Sequence, residues 1–515
     1  MKRFRTTGVC NPNIQYMVDI SDKVREAKKL VENNEYFIIN RPRQYGKTTL
    51  LFALKKELLK DYLVISISFE GIGDIAFSDE EKFVKEFINL IDEKLDFIDE
   101  DLNEVFRNLS LEVSTLPGLS RLISKFIKRL NKEVILIIDE VDKSSNNQLF
   151  LSFLGMLRNK YLQRSEGEGI TFKSVILAGV YDIKNLKIKL RPNEERKYNS
   201  PWNIAVPFNI DMSLSKDGIK NMLNEYKRDR KIELDLDLDK VVNFIYFYTS
   251  GYPFLVSRLC QIIDEDLKAS WNEENMIKAV KLLLNEKNTL FDDLIKNIEN
   301  NSDLKEYVLD IIMNGARNTF NMLNPTINLG LMFGYFKNED NMVAISNRIF
   351  SQILYNYFSS LLENNNIMKK YNFKSDFIYG NGLNVEKILL RFQKFMKEEY
   401  SSRNENFLET HGRMLFLAFL TPIINGVGFA FKEVQISEEK RLDVVITYNS
   451  NKYIIELKIW HGEEYHEKGL NQLVDYLNIN EENKGYLLIF NFNKNKEYKK
   501  EKIVLDNKDI LAVYV

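Results

Sequence analysis

Between Tyr36 and Lys60 a short apolar run, a polar loop and an amphipathic stretch follow one another, and this order constrains the fold more than any other feature of the chain. Tyr36-Phe37-Ile38-Ile39-Asn40 reads as a strand without a polar face, Arg41 to Thr49 as a connection, and 50–60 as a helix. A strand that is apolar on both faces has to be covered on both faces. Further strands, several of them apolar throughout, follow at 63–69, 134–138, 174–180 and 203–208, with helical stretches between them, the longest over roughly 78–131. A polar helix over 23–35 leads into the first strand. Strands separated by helices predict a parallel sheet between two helical layers.

The remaining chain extends this into a multidomain α/β protein, for which 515 residues at 44% hydrophobic supply enough core. The pattern is helical over 213–290, interrupted by Gly251-Tyr252-Pro253-Phe254. Helices, a polar hairpin over 334–345 and a closing helix over 347–361 follow, an order that suits a winged-helix module. The Asn- and Lys-rich stretch 363–375 reads as a linker, and 376–515 as a further α/β domain. The expected domains are therefore 1–212, 213–290, 291–365 and 376–515.

Lys+Arg 72 against Asp+Glu 74 gives a charge of −2, so no global basic field announces nucleic acid and only local patches could bind it. Cys10 and Cys260 belong to no Cys/His cluster, which excludes a disulfide framework and a structural zinc. The N-terminus has no apolar signal region and no run of about 18 apolar residues occurs, so a cytoplasmic protein without a membrane partner is expected.

The loop Arg43-Gln44-Tyr45-Gly46-Lys47-Thr48-Thr49 carries the first chemistry. Backbone N–H groups at a helix N-terminus point at an anion, and the helix dipole favours it. Gly46 lets the backbone approach, Lys47 reaches the β/γ-phosphates, and the Thr48 hydroxyl can ligate Mg²⁺. Arg41 stands where a first glycine is usual, and Pro42 is expected to help fix the turn. Asp139, after five apolar residues, matches an acid that organises magnesium, and Glu140 matches a base for the attacking water.

A second pattern lies near the end of the chain. Arg441-Leu442-Asp443-Val444-Val445-Ile446 reads as a strand, Tyr453 to Trp460 as the next, and the polar 448–452 stretch as their turn. Alternation puts Glu456 and Lys458 on one face, and turns Ile455, Leu457 and Ile459 into a core. Asp443 and Glu456 come together across such a hairpin. Two carboxylates and an ammonium on one rim can hold Mg²⁺ or Mn²⁺ and activate a water against a phosphodiester. Lys458 can orient that water or offset developing charge. The other reading of Glu456 and Lys458 is an ion pair on a solvated face. A third acid is expected from the amphipathic stretch 404–420, where Glu405 and Glu409 lie one turn apart and Glu409 is favoured. Gln472 and Tyr476 share a helix face at i and i+4. The lysines of 484–502, interleaved with Tyr486, Phe490, Phe492 and Tyr498, suit phosphate contacts or a solvated strand edge. His411, His461 and His466 are expected at the surface.

With these strings in place, residues 1–360 resemble a P-loop ATPase of the AAA-like or STAND type. The resemblance rests on Arg41 to Thr49, Ile137-Ile138-Asp139-Glu140-Val141-Asp142, Leu177-Ala178-Gly179-Val180-Tyr181-Asp182 and Ser200-Pro201-Trp202. Gly251-Tyr252-Pro253 is similar to the GxP element of a helical lid, followed by a winged helix. The resemblance implies ATP, a lid that closes over it, and an Arg from the lid or a neighbouring copy; Arg158, Arg164 and Arg191 are the candidates. It implies adenine contacts near Thr6-Thr7-Gly8 and Tyr16, and a sensor at Tyr181 or Asp182. Residues 376–515 resemble a restriction-endonuclease-like domain of the PD-(D/E)XK nuclease superfamily, and Gln472 with Tyr476 is similar to the QxxxY element of its RecB-like members. That resemblance implies Glu409, Asp443 and Glu456 as metal ligands, Lys458 as catalytic, and Gln472 and Tyr476 at the substrate or bracing the site. Together they imply an ATP-gated, metal-dependent nuclease acting on DNA rather than RNA, compatible with a homo-oligomer and with defence against foreign DNA. The alternatives are a STAND-like switch whose last domain binds nucleic acid without cutting it, and a helicase-like motor.

Overall fold

The computed structural model describes residues 2–141, 147–180, 187–188, 197–198, 202–231, 237–314, 316, 318–363, 377–380, 382–400, 412, 415–417, 419–420, 423–424, 428–433, 443–448, 451–460, 462–479, 482–491 and 496–515. They divide into two compact units, one of Met1–Leu294 with Asn328–Tyr335 and Ser346–Arg348, the other of Ile295–Ile327, Phe336–Ile345 and Ile349–Val515.

In the first unit, strands β1 (Phe37–Asn40), β2 (Leu63–Ser68), β3 (Val134–Asp139) and β4 (Ser174–Gly179) form a parallel sheet in the order β2-β3-β4-β1. Ile39, Val64, Ile137 and Ile176 pack with helices α1 (Ser21–Glu32) and α2 (Lys47–Leu58) on one side. Ile38, Ile65, Leu136 and Leu177 pack with the helices of 80–165 on the other, so the sheet is covered on both faces as expected. Of the strand expected at 203–208 only Val206–Pro207 pairs, beside β1. Pro207 has no N–H to carry the ladder further. The long helical stretch is three helices, Glu80–Ile98, Glu100–Ser110 and Leu116–Lys128, each opened by a side chain that accepts a backbone N–H: Asp79, Asp99 and Thr115.

Further helices follow at Lys216–Arg230, Leu238–Thr249, Pro253–Gln261 and Glu273–Leu284. The break between the second and third is set by Gly251 at φ 74, where a Cβ would lie 2.2 Å from the Leu214 carbonyl oxygen. No side chain fits there. Pro253 then opens the next helix, at a position where its missing N–H costs nothing.

The second unit holds a six-stranded sheet in the order Gly428–Glu433, Asp443–Tyr448, Asn451–Ile459, Lys484–Phe490, Lys508–Tyr514, Lys500–Leu505. The first three pair antiparallel, the next two join in parallel, and the last is antiparallel. Ile455, Leu457 and Leu488 pack against helix Val385–Tyr400, and Ile454, Leu487 and Ile489 against helix Glu463–Ile479. The polar hairpin expected over 334–345 is the pair Phe336–Glu339 and Met342–Ile345. Asp340 and Asn341 turn it at φ 50 and 62, and Asp506 and Asn507 turn the last hairpin at φ 50 and 61. Both are Asp-Asn pairs, the residues that tolerate the left-handed region best after glycine. No helix among the described residues is long and apolar enough to cross a membrane.

Candidate functional site

The first site is built at the C-terminal edge of the parallel sheet. Register pairs Asn40 with Gly179 and Ser68 with Asp139, so the loop after β1 and the acid ending β3 open on the same edge although β4 lies between them. That edge, where strand order reverses, is where open α/β sheets bind ligands. Gly46 caps α2 in the left-handed region at φ 86, which starts the helix at Lys47 rather than Leu50 and turns its first amides to the loop. A cavity of about 440 Å³ lies here, lined by Arg43, Gln44, Tyr45, Gly46, Lys47, Thr48 and Thr49 of the loop, by Glu70 and Glu140, and by Pro253, Phe254 and Ser257.

Lys47 is buried and its Nζ donates to the carbonyls of Arg41 at 2.8 Å and Pro42 at 3.0 Å. Thr48 is exposed at the cavity, and Thr49 Oγ1 accepts from the Cys10 amide at 3.2 Å. Tyr45 packs edge-on against Tyr252 at 4.7 Å, and burial with the nearby Asp211 pushes its hydroxyl up to about 12. Asp139 accepts from the Glu140 amide at 2.9 Å, and Glu140 sits at φ 55, a left-handed turn that ends the strand and carries its side chain to the cavity.

Arg41 is not a loop-shaping substitute for glycine. Its guanidinium donates to Asn40, Phe208 and Ile210 carbonyls at 2.7–2.8 Å and lies 5.5 Å from the Phe208 ring, which fastens the loop to the segment after Trp202. The loop residues with positive φ are Gln44 and Gly46. Arg164 also moves off the site: it donates to Phe172, Lys173 and Asn34 carbonyls, bracing the opposite ends of β4 and β1. Arg158 lies on helix Gln148–Ser165 and is not among the residues lining the cavity. Arg191, Tyr181 and Asp182 fall outside the described residues.

Thr6, Thr7, Gly8 and Tyr16 do line the cavity. Tyr16 is also core: its ring packs against Phe4 and Tyr226 and its hydroxyl donates to Asp229 at 2.5 Å. Glu70 was not legible beforehand. An acid two residues past a strand becomes visible only once β2 is known to lie beside β3.

The second site is in the six-stranded sheet. Backbone register sets Asp443 directly opposite Glu456 on the neighbouring strand. Glu456 is 1% exposed and Lys458 6%, so theirs is no solvated ion pair. Lys458 Nζ lies 2.6 Å from Glu456 Oε1 and donates to Gln472 Oε1 at 2.5 Å. The face opposite the Ile455–Leu457 core is covered too, by helix Glu463–Ile479, which brings Gln472 in. Tyr476, one turn on, is buried in that core with Leu473 and Leu477. Gly469 leaves room for the lysine stem: a Cβ there would lie 3.1 Å from Lys458 Cε. His466 is half-buried between Trp460 and Tyr514, and burial lowers its pKa. Glu409, His411 and His461 lie outside the described residues. Among the described residues no three His, Cys, Asp or Glu side chains cluster to hold a metal ion.

Tyr486 and Phe490 are core, and Tyr498 lies near Lys397 and Lys496 at 5.8 and 5.4 Å from their Nζ atoms. Lys500 and Lys502 sit on the outermost strand, a solvated edge.

No protein of curated function matches the chain by sequence. Among solved structures it is similar to the Walker-type ATPase PABY2304 of Pyrococcus abyssi, at 14% identity and TM-score 0.47 over 68% of this chain and 99% of that one. It is similar to the Thermotoga maritima RuvB Holliday junction branch migration motor at 12% and 0.31 over 64% and 92%. The Orc1 protein of Aeropyrum pernix, solved in complex with DNA, matches at 12% and 0.30 over 67% and 94%. The model of the AAA-like domain family matches residues 15–360, and that of the PD-(D/E)XK nuclease superfamily matches 425–501. The chain belongs to the AAA-like domain family of P-loop ATPases and carries, C-terminal to that domain in sequence, a domain of the PD-(D/E)XK nuclease superfamily.

Proposed function

We propose that the protein binds and hydrolyses ATP with its P-loop unit and cleaves nucleic acid, DNA rather than RNA, with its C-terminal domain, the nucleotide state gating cleavage. The buried Glu456–Lys458 pair, on the strand that sets Glu456 opposite Asp443, carries the reading. Burying two charges costs more than their attraction returns unless close geometry and further hydrogen bonds offset it, and buried ionisable groups of this kind cluster at functional sites, so a buried acid and ammonium on one strand support a reactive site over a packing device.

At the P-loop, the amides of 46–49 cradle phosphates, Lys47 leaves the Arg41 and Pro42 carbonyls for the β/γ-phosphates, and Glu140 positions the attacking water. Thr48 and Asp139 are hard oxygen donors that suit Mg²⁺. In the C-terminal domain Asp443 and Glu456, with Glu409 as the third acid, suit the same ion. When bound it would lower the pKa of a water and polarise the phosphate. Lys458 holds a positive charge beside Glu456 where the phosphate acquires negative charge, and Gln472 fixes the ammonium's direction. Tyr476 braces that helix. A cytoplasmic defence role against foreign DNA fits this reading.

Cleavage of linear and circular DNA, with an RNA control, with Mg²⁺ or Mn²⁺ and with or without ATP, tests it. Loss of cutting in both Asp443→Ala and Lys47→Ala is the expected result; cutting that survives Asp443→Ala sinks it. One observation favours a second reading, in which the last domain binds without cutting: the ammonium already occupies Glu456 Oε1 at 2.6 Å. On that reading Glu456→Ala leaves DNA binding intact and no metal-dependent cleavage exists to lose.

A further inference from the structure

Arg43 stands four residues before Lys47 and lines the same cavity as Lys47, Thr48 and Glu140. Its backbone is held firmly. The carbonyl accepts from the Tyr252 hydroxyl, and the next residue, Gln44, is turned at φ 54 and donates to Thr289 Oγ1 at 3.0 Å. The Arg43 side chain is held differently. It is 65% exposed, and its ion pair is with Asp293 at 3.1 Å, on the same helix, Thr289–Glu299, that receives Gln44. Asp293 lines the cavity as well. Lys47, by contrast, is buried against loop carbonyls. Arg5 and Lys23 also line the cavity, but of the two cations on the loop itself one is an ammonium held on carbonyls and the other a guanidinium resting on an acid.

We propose that Arg43 recognises the terminal phosphate of a bound nucleoside triphosphate, and that Asp293 is the acid on which it rests when no triphosphate is present. This deepens the nucleotide reading above and rests on it. An ion pair whose guanidinium is mostly exposed is weak and readily exchanged. A guanidinium fork on a phosphate makes paired, charge-assisted hydrogen bonds and is the stronger contact. A diphosphate lacks the group that would draw Arg43 away, so the exchange distinguishes the two nucleotides. Since a ligand shifts an equilibrium only by its differential affinity, the triphosphate is also what loosens the loop from helix Thr289–Glu299.

The test is a double-mutant cycle on ATP and ADP binding, measured by calorimetry on the full chain: wild type, Arg43→Ala, Asp293→Asn and both together. Arg43→Ala is expected to weaken ATP about tenfold and ADP less than about twofold. Asp293→Asn should tighten ATP about threefold, and have no effect on ATP once Arg43 is Ala. Equal weakening of ATP and ADP by Arg43→Ala overturns the proposal, and so does an Asp293→Asn effect that persists without Arg43. Lys47→Ala separates the two levels. If wild type binds neither nucleotide, the nucleotide reading fails and this proposal with it. If wild type binds both and Lys47→Ala binds neither, only the Arg43 outcome is at stake.

Discussion

Lys47 and Lys458 are both buried, one in each site, and they are held by different kinds of acceptor. Lys47 rests on two backbone carbonyls at 2.8 and 3.0 Å; Lys458 rests on a carboxylate at 2.6 Å and on the Gln472 amide oxygen. When Lys47 swings to a phosphate, what it gives up at these two carbonyls is contact with neutral dipoles. When Lys458 moves it leaves Glu456 buried without that counter-charge, which is far more costly. The first lysine is therefore built to move and the second to stay, and the two sites should lose unequal amounts of stability when their cation is removed.

Removing the charge tests this most directly. Lys458→Met keeps the stem and strips the ammonium from a 1% exposed acid, and should cost about 3–5 kcal/mol in urea unfolding of the C-terminal unit. Lys47→Met should cost about 1 kcal/mol or less while abolishing nucleotide binding. Equal destabilisation by the two would break the comparison.

A third buried lysine sharpens it. Lys160, on helix Gln148–Ser165, donates to the Ser120 carbonyl at 2.9 Å and Ser124 Oγ at 2.6 Å. Burial lowers its pKa from 10.5 to about 8. Its folded value lies below its unfolded value, so between pH 8 and 10.5 the unfolded chain binds the extra proton and stability rises with pH. The gain across that window is on the order of 3 kcal/mol. Lys160→Met should flatten the rise in urea melts of the ATPase unit at pH 7.5 and 10.5; an unchanged slope would mean that Lys160 stays charged in the fold.

What could be read from the sequence follows how local each arrangement is. The strand–loop–helix around Gly46 and the acid ending β3 were legible, since adjacent residues make them. The role of Arg41 was not, because its acceptors, Phe208 and Ile210, lie far along the chain. Glu456 and Lys458 were legible as sharing a face, but which face was buried depended on where helix Glu463–Ile479 docked. The strands Lys500–Leu505 and Lys508–Tyr514 were missed because lysines masked their alternation; the signal was there in Asp506-Asn507, the same turn pair as Asp340-Asn341.

Gly469 offers the finest division between holding Lys458 and merely stabilising the domain. A glycine inside a helix costs about 1 kcal/mol against alanine, so Gly469→Ala gains that much from the backbone. The new methyl, however, would lie 3.1 Å from Lys458 Cε and 3.3 Å from Cγ, tight enough to displace the stem and to return about the same amount in overpacking. The net change in stability should be close to zero, the smallest effect expected here. The ammonium at the end of that stem does not escape, because Glu456 Oε1 and Gln472 Oε1 fix it from two sides and a shifted Cε cannot satisfy both. Gly469→Ala should therefore leave the melting of the C-terminal unit within about 1 kcal/mol of wild type while cleavage falls about tenfold or more. Cleavage at the wild-type rate with unaltered stability would show that the helix, not the lysine, yields, and that Lys458 is held less tightly than its burial implies.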